Sequence, residues 1–290
     1  MRSAARSRSG CTGRSGCPLP GGRCASPSAT ESTTAEIAVA AIVAAAALFA
    51  FGSIYRASSV RSTALRTCGL VLALVTLSIQ VYGSGWLTSF DGPETDWMVD
   101  HRSGALNQIA VAVTDLGSPV ATALLGITCG VLISWRARSV VPGLIVIGTV
   151  GGAAVASTVI KALVGRERPP TNIQVLLETG HSFPSGHVTG TAALFGIAVL
   201  VVSVDRTAAV KRLLMLLAVT VTVVVALTRL YLGAHWLTDV IAGAILATLA
   251  VTVGGALFRF VGTHNQAEST TAAMRSAEPS ALHEPQSARY

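Results

Sequence analysis

Charged side chains are scarce in this chain. Only 12% of its 290 residues are Asp, Glu, Lys or Arg, whereas soluble domains carry about 25%. Hydrophobic residues make up 51% of the sequence, and the mean hydropathy is +0.61. The apolar residues come in runs of about 18 to 25, the length that crosses a hydrocarbon core. A soluble globular protein is therefore excluded, and an integral membrane protein is predicted.

Lysine and paired cysteines are also lacking. The chain has two lysines, so its net charge of +7 comes mainly from arginines at the termini and between the apolar runs. Arginines in these positions are typical of topology signals in membrane proteins, and no nucleic-acid partner is predicted. The five cysteines include no C-x-x-C pair, so they do not indicate a metal site.

Polar segments flank a long apolar middle. Residues 1–34 are rich in Ser, Gly and Arg and are predicted to be disordered, as is the polar tail over 260–290. Seven apolar runs between them are predicted to span the membrane, which makes the fold all-α. These runs lie at about 35–55, 66–84, 119–135, 140–162, 188–204, 212–230 and 236–258. The first run, rich in Ala, is also compatible with a signal-like segment.

The positions of Arg and Lys predict which side of the membrane each connector occupies. The basic positions are the connectors 56–66, 136–138 and 205–212 and the start of the tail at Arg259. Seven spans place all of them on one side, which the positive-inside rule makes cytoplasmic. The arginines of the head oppose this orientation, although none lies in its last eleven residues, 24–34.

The segment 86–117 falls on the opposite, extracytoplasmic side and is too polar to span the membrane. One interpretation is an interfacial helix, with an apolar face formed by Met98, Leu106, Ile109 and Val113. The other is a structured loop that has no contact with lipid.

Three polar clusters interrupt the apolar runs near their ends. The first contains Lys161 and Arg168, two cations that either hold a phosphate or anchor a helix end among lipid headgroups. The second is Pro184-Ser185-Gly186-His187, just before a run. The free N–H groups of a helix start can bind phosphate there, or the segment is only a capped turn. His181, slightly upstream, is interpreted as a loop histidine.

The third cluster combines Arg229, His235 and Asp239. Asp239 follows His235 by four residues, so the two share a helical face. A carboxylate beside one ring nitrogen fixes the tautomer and leaves the other nitrogen free to attack. A surface ion pair is the simpler interpretation of this cluster taken alone. All three clusters fall on the same predicted side, however, and together they suit binding a phosphate, attacking it and protonating its leaving group.

With these residues in place, the chain resembles the PAP2 family, the type 2 phosphatidic acid phosphatases, over about residues 66–258. The family signature is K-x6-R-P, then P-S-G-H, then S-R-x5-H-x3-D. It is found here from Lys161 to Pro169, from Pro184 to His187 and from Thr228 to Asp239, with Thr228 where Ser is usual. The resemblance implies a polytopic bundle with a six-helix core, to which 35–55 adds one N-terminal transmembrane helix. It implies no metal, and the sequence shows no carboxylate cluster for one.

The resemblance also implies a role for each matching residue. His235 is the expected nucleophile, forming a phosphohistidine, and Asp239 is expected to orient it. His187 is the expected general acid for the leaving group and then the base for water. The phosphoryl oxygens are expected to be held by Lys161, Arg168, Ser185, Gly186 and Arg229.

The sequence therefore predicts a lipid phosphatase of the plasma membrane, without a cofactor and with its active site on the extracytoplasmic face. The candidate substrates are phosphatidic acid, phosphatidylglycerol phosphate and polyprenyl diphosphate. The alternatives are the same site acting on a soluble phosphoester or a phosphorylated prenyl sugar, a transporter, and a non-catalytic lipid-binding protein. Charges at span ends rather than mid-span count against a transporter, and the intact His187, His235 and Asp239 count against a non-catalytic protein. The oligomeric state is left open.

Overall fold

A computed structural model describes residues 29–54 and 59–277 of the chain. In these two ranges all regular secondary structure is helical. The α-helices there are α1 (Ala29–Ile54), α2 (Val60–Tyr82), α3 (Asp91–Asp100), α4 (Gly104–Leu116), α5 (Pro119–Ala137), α6 (Val141–Val164), α7 (Gly186–Val202), α8 (Ala208–Tyr231) and α9 (Leu237–Ala277). Two short 3₁₀ turns, Trp86–Phe90 and Thr171–Ile173, precede α3 and follow α6.

Six helices in the described ranges are long and apolar enough to cross a membrane: α1, α2, α5, α6, α8 and α9. Helix α7 is also apolar but has 17 residues. At 1.5 Å per residue it is about 26 Å long, slightly less than the hydrocarbon thickness of about 30 Å. It corresponds to the predicted run 188–204, and the six longer helices correspond to the other predicted runs. The predicted all-α membrane bundle is confirmed.

Helix α7 lies inside the bundle, in contact with α5, α6, α8 and α9. Nine of its 17 residues are buried. Glycines allow this close packing, because a Cβ on Gly190 would lie 2.5 Å from Thr122 Oγ1, and one on Gly196 would lie 2.9 Å from Val251. Small residues at helix contacts are the usual means of close association in membranes. Helix α1 packs along α2 at the edge of the bundle.

Helix boundaries near the site are set by capping residues. The Ser118 side chain accepts a hydrogen bond from the Ala121 backbone N–H at the start of α5, and Pro119 occupies the first turn. Helix α6 ends at Gly165, whose φ of 64° is the left-handed conformation that favours glycine. The chain therefore turns out of α6 into the long loop 165–185.

Both ends of the described chain are more helical than predicted. Helix α1 begins at Ala29, within the head predicted to be disordered, and α9 continues to Ala277, through the first part of the predicted disordered tail. Residues 263–277 contain no proline, and their Ala, Glu, Gln and Met residues are good helix formers. The last membrane helix therefore extends past its apolar part. The predictions for residues 1–28 and 278–290 lie outside the described residues.

The segment 86–117 forms two helices rather than one. Helix α3 ends at Asp100, and α4 begins at Gly104 after a cap at Ser103. Met98 on α3 packs inward, whereas Leu106 and Ile109 on α4 are exposed. The break places the residues of the predicted apolar face on separate helices, so a single interfacial helix over this segment is wrong.

Candidate active site

The three polar clusters come together at one end of the helical bundle. The eight predicted site residues lie at the ends of four helices or in the adjoining loops: Lys161, Arg168, Ser185, Gly186, His187, Arg229, His235 and Asp239. Backbone hydrogen bonds join these segments. Ser185 N donates to Asp239 O at 3.0 Å, and Val175 N donates to Leu232 O at 3.0 Å. The start of α7 and the loop 165–185 are thereby fixed against the junction of α8 and α9.

His235 and Asp239 form a buried pair. His235 Nδ1 lies 3.3 Å from Asp239 Oδ2, and the Trp236 backbone N–H donates to the same oxygen at 3.0 Å. His235 is 2% exposed and Asp239 is fully buried. The spacing of four residues therefore places the two side chains on one helical face and also brings them into contact at the start of α9.

The other ring nitrogen of His235 faces a cation. Its Nε2 lies 3.4 Å from Arg168 Nη1, which is a donor only. This arrangement assigns the proton of neutral His235 to Nδ1, where it faces Asp239, and leaves a lone pair on Nε2. Burial lowers the pKa of His235 to about 4, against the opposing effect of its bond to Asp239. At neutral pH the ring is therefore uncharged, and Nε2 is available as a nucleophile.

Three cationic side chains near the His235–Asp239 pair are held by oxygen acceptors. Lys161 Nζ donates to the backbone oxygens of His181 at 2.7 Å and Ser182 at 3.2 Å. Arg168 donates to the backbone oxygen of Ala234 at 2.8 Å. Arg229 is fully buried, and its Nη1 donates to Thr114 Oγ1 at 2.9 Å. Each cation keeps further donors, so the three side chains can also bind an anion.

Glu178 occupies part of this cationic region, and no spacing rule in the sequence identifies it. One carboxylate oxygen pairs with Arg229 Nη2, and the other lies 3.2 Å from Arg168 Nη2. Burial alone would raise the pKa of Glu178, but the two guanidiniums outweigh it and hold that pKa below its usual range. The bridge shows that Arg168 and Arg229 lie close enough to share one anion.

The start of α7 completes the region. Ser185 occupies the N-cap position, and its buried Oγ has no hydrogen-bond partner within the described residues. A Cβ on Gly186 would meet Pro119 at an ordinary 3.6 Å, so packing does not require glycine there. His187 lies within electrostatic reach of Arg229, Glu178 and His235. The exposed His181 contributes only its backbone oxygen to Lys161.

Sequence reasoning also missed a second ion-pair network behind Asp239. Arg166 Nη1 donates to Asp239 Oδ1 at 2.6 Å, and Arg166 Nη2 donates to Asp91 Oδ2 at 2.6 Å. The only sequence signal was Arg166 itself, two residues before Arg168 and within the first cluster. Asp91 lies in the polar segment before α5, and nothing in the sequence linked it to the third cluster.

Metal ligands do not converge in this part of the chain. Over residues 29–54 and 59–277, no group of three His, Cys, Asp or Glu side chains is arranged to hold a metal ion. The cationic side chains brought together at the site are Lys161, Arg168 and Arg229.

Comparison with known proteins agrees with the family resemblance of the three polar clusters. Residues 142–264 match the model of the PAP2 superfamily. This range contains all three polar clusters. The chain is 28% identical over 150 residues to phosphatidylglycerophosphatase B of Bacillus subtilis (strain 168), covering 51% of this chain and 73% of that protein.

Two solved structures are similar. The crystal structure of a transmembrane PAP2 type phosphatidylglycerolphosphate phosphatase from Bacillus subtilis matches with a TM-score of 0.62 and 24% identity, over 67% of this chain and 96% of that one. The crystal structure of Aquifex aeolicus LpxE matches with a TM-score of 0.40 and 21% identity, over 55% of this chain and 91% of that one. The first of these supports the helical membrane fold described above.

Proposed function

Because the chain is a membrane protein of the PAP2 superfamily, we propose that it is a metal-independent phosphatase that acts on a lipid phosphate or diphosphate through a phosphohistidine at His235. One observation carries the proposal: His235 Nδ1 faces Asp239, while Nε2 faces the guanidinium of Arg168. This places a nucleophile with a fixed tautomer beside a binding site for its anionic target.

The first step transfers the phosphoryl group to the enzyme. Arg168, Arg229 and Lys161 hold its oxygens, together with backbone N–H groups at the start of α7. His235 Nε2 attacks phosphorus as the bond to the leaving oxygen breaks. His187 gives its proton to that oxygen, and Asp239 stabilises the positive charge that forms on the His235 ring.

The second step releases phosphate. Water attacks the phosphorus of the phosphohistidine, and His187, now neutral, takes a proton from it. The P–N bond breaks, and its electron pair returns to His235 Nε2. Inorganic phosphate leaves, and both histidines recover their starting protonation states. The cycle thus consumes one water and requires no external acid.

A groove beside the site supports a substrate with an apolar tail. A cavity of about 250 Å³ lies between α5, α6 and α7. Lys161 and Gly186 line it at the phosphate end, and Gly126, Ile127 and Ile147 line it within the membrane-spanning part. Its mostly apolar wall suits a hydrocarbon chain whose phosphate lies among the cations.

Phosphatidylglycerol phosphate is the first substrate to test, because the similar Bacillus subtilis protein is a phosphatidylglycerophosphatase. Phosphatidic acid and a polyprenyl diphosphate complete the lipid panel. A soluble phosphoester and a phosphorylated prenyl sugar represent the alternative substrates. Release of phosphate from the soluble ester alone would favour the alternative and contradict a lipid substrate.

Phosphate release should not depend on added metal. We expect the purified protein to keep its activity in EDTA and to lose it in vanadate, which resembles the five-coordinate phosphoryl group, because side chains supply the cations at the site. Phosphate release from the lipid panel in detergent, with and without EDTA, measures this. Activity lost in EDTA and restored by Mg²⁺ would show that the enzyme depends on a metal ion and would contradict the proposed mechanism.

Glu178 should compete with the substrate for Arg168 and Arg229. Replacing it by Gln removes the internal anion, so we expect tighter binding of vanadate, by about tenfold, which corresponds to about 1.4 kcal/mol. The inhibition constant of vanadate measures the change, and Glu167→Gln, an exposed neighbour in the same loop, is the matched control. Weaker vanadate binding in Glu178→Gln would show that the carboxylate organises the two arginines rather than competing for them.

The site should face the extracytoplasmic side of the plasma membrane. The exposed residues Asn172, in the loop of the site, and Ala208, at the start of α8, are the positions to compare. Helix α8 has 24 residues, which separates its ends by about 36 Å. In a background without the five native cysteines, we expect Asn172→Cys to react with an impermeant thiol reagent in intact cells and Ala208→Cys to stay unlabelled. The reverse pattern would place the site on the cytoplasmic side.

A further inference from the structure

Asp239 is held on the side away from His235 by a single guanidinium. Its Oδ2 accepts from Trp236 N and faces His235 Nδ1, and its Oδ1 accepts from Arg166 Nη1 at 2.6 Å. With both oxygens bound, the carboxylate cannot rotate without breaking a hydrogen bond. The orientation of the pair with His235 therefore depends on Arg166.

Arg166 is itself fixed by a carboxylate from a distant helix. Asp91, the first residue of α3, accepts from Arg166 Nη2 at 2.6 Å. The same carboxylate accepts from the Thr238 backbone N–H at 2.9 Å and from Thr238 Oγ1 at 2.8 Å. Thr238 directly precedes Asp239, and its N–H is one of the free donors at the start of α9. Asp91 thus binds both Arg166 and the turn that carries Asp239.

Two further contacts leave Arg166 little freedom. The Trp236 ring lies over its guanidinium, with 5.5 Å from the guanidinium carbon to the ring centroid. The Arg166 backbone oxygen accepts from Ser182 N at 2.9 Å. Asp91 is 3% exposed, so this network lies in a region where unpaired charges are costly. Each charge of the network must therefore keep its partner for the buried group to be stable.

The charges of the network match the proposed reaction. Arg166 alone would draw the negative charge of Asp239 away from the His235 ring. Asp91 offsets that cation, so the three groups together carry one net negative charge. A single negative charge balances the single positive charge that His235 gains when it attacks phosphorus.

We propose that Asp91 and Arg166 are positioning residues that fix Asp239, and through it His235, for attack on the phosphoryl group. The inference rests on the proposed phosphohistidine chemistry. The hydrogen bonds of the two side chains go to each other, to Thr238 and to Asp239, and α3 is outside the three clusters. Through Asp91, the polar segment before α5 instead helps to position the residues of the site.

The test compares Asp91→Asn and Arg166→Gln with two exposed controls, Asp96→Asn and Glu167→Gln. We expect each network variant to lower kcat by on the order of 10²-fold, the effect of a small misplacement of a reacting group, with KM nearly unchanged. Both controls should match wild type. Wild-type kcat in either network variant would overturn the proposal.

The pH profile of kcat/KM separates positioning from a general loss of structure, because its acid limb reports the nucleophile of the free enzyme. The groups that face His235 are Asp239, Arg168, Arg229 and His187. Removing the Arg166 cation favours the protonated form of the His235 ring, so the acid limb of Arg166→Gln should move to higher pH. Removing the Asp91 anion should move it to lower pH, and the double variant should restore it. The proposal would be overturned if the acid limb moved in the same direction in Arg166→Gln and in Asp91→Asn.

Glu94 is a second titratable group that responds to the charge of Asp91. It lies on α3 near Asp91, and burial, together with the Asp91 charge, raises the pKa of Glu94 to about 7. Asp91→Asn therefore also lowers the pKa of Glu94, whereas Arg166 is not among the groups that shift it, so the opposite shift expected in Arg166→Gln is independent of Glu94.

Arg166→Lys decides the question if neither neutral variant can be purified in a folded form. Lysine keeps the charge but lacks the fork that reaches both carboxylates. Reduced kcat with unchanged KM would support the proposal, and wild-type kcat would overturn it. Trapping of the phosphoenzyme in wild type and in His235→Ala runs in parallel. A wild-type protein that hydrolyses substrate without a phosphohistidine would refute the proposed function itself, an outcome distinct from failure of the positioning variants.

Discussion

His235→Ala should lose phosphate release by on the order of 10⁴-fold or more, because removal of a covalent nucleophile costs far more than loss of a binding contact. His235 is the histidine whose Nδ1 faces a buried carboxylate while its Nε2 faces a cation of the phosphate site. No phosphoenzyme should form. Phosphate release and trapping of a phosphohistidine during turnover measure the two effects.

The matched control is His181→Ala, which removes a histidine side chain near the site. His181 is exposed, and it contributes its backbone oxygen to Lys161 rather than a side-chain contact. We expect this variant to work nearly as well as wild type. If His235→Ala retained more than about one hundredth of wild-type activity, a loss too small for a missing nucleophile, His235 would not be the nucleophile.

Asp239→Asn should slow formation of the phosphoenzyme by on the order of 10²- to 10⁴-fold, the upper value being the effect of the same change in a serine protease triad. Arg166 Nη1 donates to Oδ1, and Trp236 N donates to Oδ2. The amide has one acceptor oxygen, and the charged Arg166 is the stronger donor. The amide NH₂ then faces His235 Nδ1, which favours the tautomer with its proton on the attacking nitrogen.

Single-turnover kinetics test this directly, because they separate phosphoenzyme formation from phosphate release. The control is Asp205→Asn, an exposed carboxylate at the opposite end of the bundle. Unchanged phosphoenzyme formation in Asp239→Asn would remove Asp239 from the mechanism. A loss of substrate binding without slower transfer would assign it to the binding site.

The sequence was sufficient to predict the residues that lie in regular patterns. His235 and Asp239 are neighbours because four residues make about one helical turn, and runs of membrane-spanning length bring successive span ends to alternate sides. These two rules place Lys161, Arg229 and His235 at one end of the bundle. No knowledge of side-chain packing was needed for this step.

The contacts that depend on tertiary structure could not be predicted. Asp91 and Thr238 are separated by 147 residues, and their contact depends on how α3 docks onto the start of α9. Glu178 lies in the loop 165–185, where neither helical nor strand periodicity applies. The length of α9 was missed for another reason, because a hydropathy pattern reports where a helix can leave the membrane and not where it ends.

The distance along the chain between Asp91 and Asp239 has a consequence for biosynthesis. Membrane helices are made and inserted in chain order, and the helix that carries Asp239 is the last of the described helices to leave the ribosome. Until then, within the described part of the chain, the carboxylate partner of Arg166 is Asp91, and that of Arg168 and Arg229 is Glu178. Chains that have not reached α9 thus contain Lys161, Arg168 and Arg229 but lack His235, the proposed nucleophile. In the proposed mechanism, catalytic competence therefore requires synthesis to reach α9.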